Sequence, residues 1–218
     1  MSACFLSEFD MVQQFEETVD TYYPGLFSRT LEFDSENGIA DIVLYKVNTN
    51  YEAHVGLSEI NPRWALTLRK LPYRKYFYLE EFQELTRCSR SSARKAIESF
   101  CRAGYCEESV ISEKWIKFRQ PSLILKDVVA IEAKLSNWKR ALQQARRYLD
   151  YANQSWVLIE EKSQKAAEAN KFHFVNANIG LASISVEGNI QLLHHPEKSQ
   201  PRSEFAQWYM NAKIASHF

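Results

Sequence analysis

The chain has only six glycines in 218 residues, and they form no P-loop, no dinucleotide-binding G-x-G-x-x-G and no G-x-S-x-G elbow. Phosphate cradling by a glycine-rich loop and hydrolysis by a serine on a strand-to-helix turn are therefore not encoded. The four cysteines, Cys4, Cys88, Cys101 and Cys106, include no C-x-x-C pair, and no histidine stands at zinc-ligand spacing. Reduced, partly buried thiols are the expectation. His194 and His195 lack a ligand partner pattern and read as strand-end surface residues. No apolar run is long enough to span a membrane, and the opening MSACFLSEFD is too acidic for a signal peptide. A cytoplasmic setting is expected. Internal repeats and low-complexity tracts are also missing.

Net charge is missing as well, since Lys+Arg and Asp+Glu both number 27. Overall charge thus argues neither for nor against nucleic acid, but its distribution does. From Arg63 to Arg119 there are 13 basic and 7 acidic residues, a local surplus that the rest of the chain offsets. A basic insert in an acidic frame is an electrostatic footprint. The 45% hydrophobic and 13% aromatic content supports one sizeable domain, or a domain with an insert.

The most informative stretch is VVAIEAKLSNWKRALQQARRY, from Val128 to Tyr148. Val128, Val129, Ala130 and Ile131 have the composition of a buried strand. Glu132 and Lys134 follow, two positions apart and so on one face of that strand. Charges at the end of a buried strand are costly without partners or a task. A helical pattern comes next, with Trp138, Ala141, Leu142, Ala145, Tyr148 and Leu149 as its apolar stripe. Gln144 and Tyr148, four apart, share one face of that helix.

Earlier in the chain, 6–23 reads as an amphipathic helix on Leu6, Phe9, Val12, Phe15, Val19 and Tyr22, ended by Pro24-Gly25. Glu16 projects toward this stripe, and Glu17 points away. Residues 29–33 and 39–45 read as two strands joined by the Ser35-Glu36-Asn37-Gly38 turn. Asp41 is the lone carboxylate in the apolar return strand, which makes it a site candidate.

Residues 77–118 form a unit of their own: a short helix on Leu79, Phe82 and Leu85, a turn, and a second helix. Ser89 is its N-cap, and Ala93, Ile97 and Phe100 are its stripe. A small hairpin over 105–110 and 114–118 follows. Helix, tight turn, helix, hairpin is the winged helix-turn-helix pattern. Arg90, Ser91, Arg94 and Lys95 would face outward near the start of the second helix, where phosphate and base-edge contacts are made. Glu107, Glu108 and Glu113 on the hairpin favour the alternative, a winged helix used for protein contact. Strands over 155–160, 180–186 and 190–194 and a helix over 204–218 complete the pattern.

The acid strand IADIVLY, the E-A-K strand and the QQARRY helix, in that order, resemble the PD-(D/E)xK nuclease superfamily, which has the restriction-endonuclease-like fold. The Q-x-x-x-Y addition looks like its RecB-type exonuclease branch. The likeness extends through SWVLIE and IGLASISVEG to similar bacterial and archaeal proteins that carry a winged helix between the Asp and E-x-K strands. Ala40 departs from the motif by standing where the founding pattern has proline.

The resemblance implies an α/β core with a mixed central sheet flanked by helices: 1–50 and 121–218, interrupted by a winged helix with linker over 51–120. It also implies a nuclease that hydrolyses DNA phosphodiesters with Mg²⁺ or Mn²⁺. Asp41, Glu132 and the Ala133 carbonyl would hold the ion, with Glu16 as a further ligand from the first helix. Hard divalent ions favour such oxygens, and they activate water and offset phosphate charge. Lys134 would orient the water, and Gln144 and Tyr148 would position substrate or brace the site. DNA is the implied partner, with no membrane, and a homodimer is compatible with the pattern. The residues alone reach a similar site, but leave open a buried Asp–Lys–Glu network that only supports the fold. A non-catalytic DNA-binding regulator, or an interaction subunit of a defence or repair complex on this scaffold, also stays open.

Overall fold

The computed structural model describes residues 4–22, 27–48, 56–110 and 113–216. The chain divides into two compact units, Met1–Val47 with Lys126–Ser203, and Asn48–Leu125 with Glu204–Phe218.

In the first unit, helix α1 (Glu8–Tyr22) opens on Ser7, whose hydroxyl accepts from Asp10 N at 3.1 Å. Its buried face is Met11, Val12 and Phe15, whereas Leu6 and Phe9 remain exposed. The stripe is thus shorter than the spacing suggests, because Leu6 precedes the helix and Phe9 lies in its first turn. Tyr22's side chain and the Pro24-Gly25 stop lie outside the described residues. Strands β1 (Ser28–Asp34) and β2 (Ile39–Val47) pair antiparallel. The turn between them is closed by Ser35, whose N and Oγ both donate to Gly38 O, at 3.1 and 2.8 Å. Gly38 has φ +146°, a backbone conformation that favours glycine in this turn.

Strand β6 (Leu125–Lys134) leads into α5 (Trp138–Tyr148), capped by Asn137, whose side chain accepts from Arg140 N at 3.1 Å. Next come β7 (Gln154–Glu160), the short helices α6 (Gln164–Glu168) and α7 (Lys171–Ala177), and strands β8 (Gly180–Ile184) and β9 (Ile190–His194). The result is a mixed six-stranded sheet in the order β1-β2-β6-β7-β8-β9. β6, β7 and β8 run parallel, and β9 returns antiparallel. Strand alternation sends Ile131 and Ala133 into the core with Met11, Val12 and Phe15 of α1. Glu132 faces the other way, where its carboxylate meets Tyr148 of α5. On the α1 face, Phe15, Val19, Phe27, Leu44, Trp156 and Leu192 border an apolar cleft of about 540 Å³.

The second unit contains α2 (Ala65–Lys70), β3 (Tyr76–Tyr78), α3 (Leu79–Thr86), α4 (Arg90–Arg102), β4 (Cys106–Glu108) and β5 (Lys114–Lys117). Its antiparallel sheet has the order β3-β5-β4. Ser89 caps α4 by accepting from Ser92 N at 3.2 Å, and Ala93, Ile97 and Phe100 form its buried face. Lys117 is fully buried, donating to Leu68 O at 3.0 Å and Arg69 O at 3.2 Å at the end of α2. Burial pulls its ammonium down to about 8. Burial also raises the Cys101 and Cys106 thiols, to about 11 and about 12. All four cysteines are unpaired.

The last helix, α8 (Glu204–Ala215), belongs to this second unit. The sequence pattern groups 204–218 with 121–203 instead, and the contacts of α8 depart from that grouping. Asn211 explains it: its buried Oδ1 accepts from Ile124 N at 2.8 Å and Leu125 N at 2.9 Å. With Trp208, Met210, Ala212 and Ile214 also buried, α8 is a central helix rather than a one-faced surface helix.

Candidate functional site

β2 and β6 are neighbours in the sheet, which brings Asp41 beside the Glu132–Lys134 segment. Asp41 Oδ2 accepts from Ala133 N at 2.7 Å, so the acid is held by the backbone of the residue between the two charges. Lys134 Nζ lies 2.9 Å from Glu132 Oε1 and 3.8 Å from Asp41 Oδ2. It also donates to Ala133 O at 2.9 Å and to Glu8 Oε2 at 3.0 Å. The Glu132 contact is an ion pair made with its buried oxygen, Oε1.

Tyr148 braces the other oxygen. Its hydroxyl donates to Ile39 O at 2.6 Å and makes a short contact with Glu132 Oε2. One hydroxyl proton cannot serve two acceptors at once. Ile39 O and the Glu132 carboxylate therefore compete for it. Burial, and then the charge of Asp41, push Glu132 above the usual carboxylate range, against the pull of Tyr148 and Lys134. Asp41 is raised as well, first by burial, and further by the charges of Glu8 and Glu32. Burial works against the Lys134 ammonium, but contacts with Glu132 and Glu8 and the charge of Asp41 outweigh it, and its pKa is raised. Tyr148 is raised by burial and by its contact with Glu132. Gln144 is one turn before Tyr148 on α5, and its Oε1 is buried without a hydrogen-bond partner.

Five residues expected at the site, Asp41, Glu132, Ala133, Lys134 and Tyr148, are therefore in mutual contact. Glu16 is not with them. Its Oε1 pairs with Arg29 Nε at 2.6 Å. The acid that α1 brings to Lys134 is Glu8, eight positions earlier and thus about 12 Å away along the axis. Glu8 was missed because it stands at the start of the helix, outside the apolar stripe that drew attention to Glu16.

Asp41 and Glu132 offer carboxylate oxygens, with the Ala133 carbonyl beside them, a donor set that suits a hard divalent cation. The buried Oε1 of Glu132, already 2.9 Å from the Lys134 ammonium, is placed against positive charge. Among the described residues, no three His, Cys, Asp or Glu side chains are grouped as metal ligands. The carboxylates are instead turned onto Lys134. No family model, curated protein or solved structure matches the chain. Chemistry must therefore be argued from the site.

In the second unit, Arg90, Ser91, Arg94 and Lys95 are all exposed on the first turns of α4. Arg90 and Arg94 are both engaged by Glu113 at the start of β5, Arg94 Nη2 at 2.6 Å from Oε1 and Arg90 through a shorter contact. The Arg90 contact holds the Glu113 carboxyl below its ordinary value.

Proposed function

We propose that this chain is a metal-dependent deoxyribonuclease, with a restriction-endonuclease-like core and a winged-helix insert that supplies DNA affinity. The observation that carries the reading is the meeting of Asp41, Glu132 and Lys134 across neighbouring strands, with the Glu132 carboxylate buried beside the Lys134 ammonium. Burial raises both acids even with the Lys134 ammonium beside them, so further positive charge would stabilise their shared ionised state. Mg²⁺ or Mn²⁺ bound by Asp41 and Glu132 would neutralise phosphate charge and activate water. Lys134 orients the attacking water and stabilises charge developing on the phosphate. Tyr148 fixes the Glu132 carboxylate, and Gln144 hydrogen-bonds the substrate backbone.

Linear, circular and single-stranded DNA, and RNA, incubated with the protein and Mg²⁺ or Mn²⁺ test this reading. Metal-dependent cleavage of DNA is expected, reduced about 10³-fold or more in Asp41→Ala. Cleavage that ignores the metal or survives Asp41→Ala unchanged, or no cleavage of any substrate, overturns it.

For the insert, Arg90 and Arg94 are the phosphate contacts, with Ser91 and Lys95 beside them on α4. Glu113 now fills the place of a phosphate between the two guanidiniums. Glu113→Gln is therefore expected to tighten DNA binding at low salt by roughly 3–10-fold and to steepen its salt dependence. Fluorescence anisotropy with a labelled duplex reads both. Unchanged affinity would instead mark this unit as a protein-contact module, with Glu107 and Glu108 on its exposed strand.

A further inference from the structure

The oxygens that the nuclease reading assigns to a cation already surround one, and it belongs to the chain. Around Lys134 Nζ stand Ala133 O and Glu132 Oε1 at 2.9 Å, Glu8 Oε2 at 3.0 Å and Asp41 Oδ2 at 3.8 Å. Asp41, Glu132 and the Ala133 carbonyl are the donors a divalent ion would take. Such an ion needs them at about 2.0–2.6 Å, so ion and ammonium cannot share these oxygens. Their charges also repel at that range.

Resting on the nuclease reading, we propose that Lys134 is a built-in competitor for the cation. Its ammonium fills the site in the metal-free protein, and cation binding expels it. Three features of the site support this. The carboxylates are turned onto Lys134 instead of converging as metal ligands among the described residues. Lys134 ends β6 on a flexible four-carbon stem, so its head can leave while its Cα stays in the sheet. Glu8, whose side chain is 46% exposed while that of Lys134 is 13% exposed, is the partner placed to follow the ammonium outward. Expulsion serves the reaction too, because the displaced ammonium is free to meet phosphate. A site closed by its own lysine also favours the cation only once binding outweighs that internal ion pair.

Two measurements on the full chain test the proposal. Amine labelling of wild-type protein, read by peptide mass spectrometry against exposed Lys165, follows the Lys134 head group with and without Mn²⁺. Mn²⁺ titration followed by electron paramagnetic resonance compares wild type, Lys134→Met and Lys134→Gln. Mn²⁺ is expected to speed Lys134 labelling several-fold, and both variants to bind Mn²⁺ about tenfold more tightly. If wild type binds Mn²⁺ but Lys134 labels no faster, or neither variant binds more tightly, the competition is refuted while the nuclease reading stands. If neither wild type nor the variants bind Mn²⁺, both fall together.

Discussion

Glu132→Gln is expected to raise the melting temperature of the metal-free protein while abolishing its metal-dependent cleavage. The Glu132 side chain is 1% exposed, and burial is the largest influence on its carboxyl. Its net upward shift means that Tyr148 and Lys134 return less than desolvation and the Asp41 charge together cost. Glutamine keeps the volume, can still bond Tyr148, and carries no charge to bury. Lys134 is not orphaned by the change, since Glu8, Asp41 and the Ala133 carbonyl remain. The gain at neutral pH is roughly 1–2 kcal/mol, or about 2–8 °C in Tm for a chain of this size.

The sign with pH follows from linkage. A carboxyl whose folded pKa is raised contributes stability that is fully present below its ordinary value, 4.5 for Glu132, and lost as pH rises through the folded value. Asp41, raised from 3.8, acts in the same direction. His194, lowered by burial, acts oppositely, so the wild-type profile alone mixes the two. The difference between wild type and Glu132→Gln isolates Glu132, and it should widen as pH rises above its ordinary value of 4.5. Saturating Mg²⁺ should invert the order, because at a hundred times Kd it adds about 2.7 kcal/mol to wild type alone. Thermal melts in chelator and in Mg²⁺ measure this. A variant less stable than wild type in chelator, or Mg²⁺ without effect on wild type, contradicts the account.

Lys134→Met should have the reverse signature. The buried Glu132 loses its ion pair, so the metal-free protein is destabilised by roughly 1–3 kcal/mol at neutral pH. Its cation site gains affinity, yet cleavage falls by about 10²–10⁴-fold, the usual cost of losing a group that handles proton or charge in the transition state. A lysine that only supported the fold would change stability and leave the rate per folded molecule intact. Bound metal and the rate of cleavage must therefore be measured on the same sample.

The part of the site formed by local pattern was legible in the sequence. Asp41, Glu132 and Lys134 stand out because a period of two places charges in otherwise apolar strands, and Gln144 and Tyr148 because four residues make a helical turn. Which acid of α1 reaches the site was not legible. Glu8 and Glu16 lie on the same helix, and only its placement along the sheet decides that Glu16 meets Arg29 while Glu8 meets Lys134. The same holds for Glu113, whose partners Arg90 and Arg94 lie on another element. The home of α8 rests on Asn211 meeting backbone some 86 residues away, a contact no window of sequence contains. Local periodicity reveals which residues are costly, and long-range packing determines whom they meet.

The most direct test of the central claim is the rate of linear-DNA cleavage at saturating Mg²⁺, for wild-type and Lys134→Met protein in parallel. Wild type is expected to cleave, and Lys134→Met to cleave at least about 10²-fold more slowly despite its bound metal. Equal rates, or no cleavage by wild type, would contradict the claim.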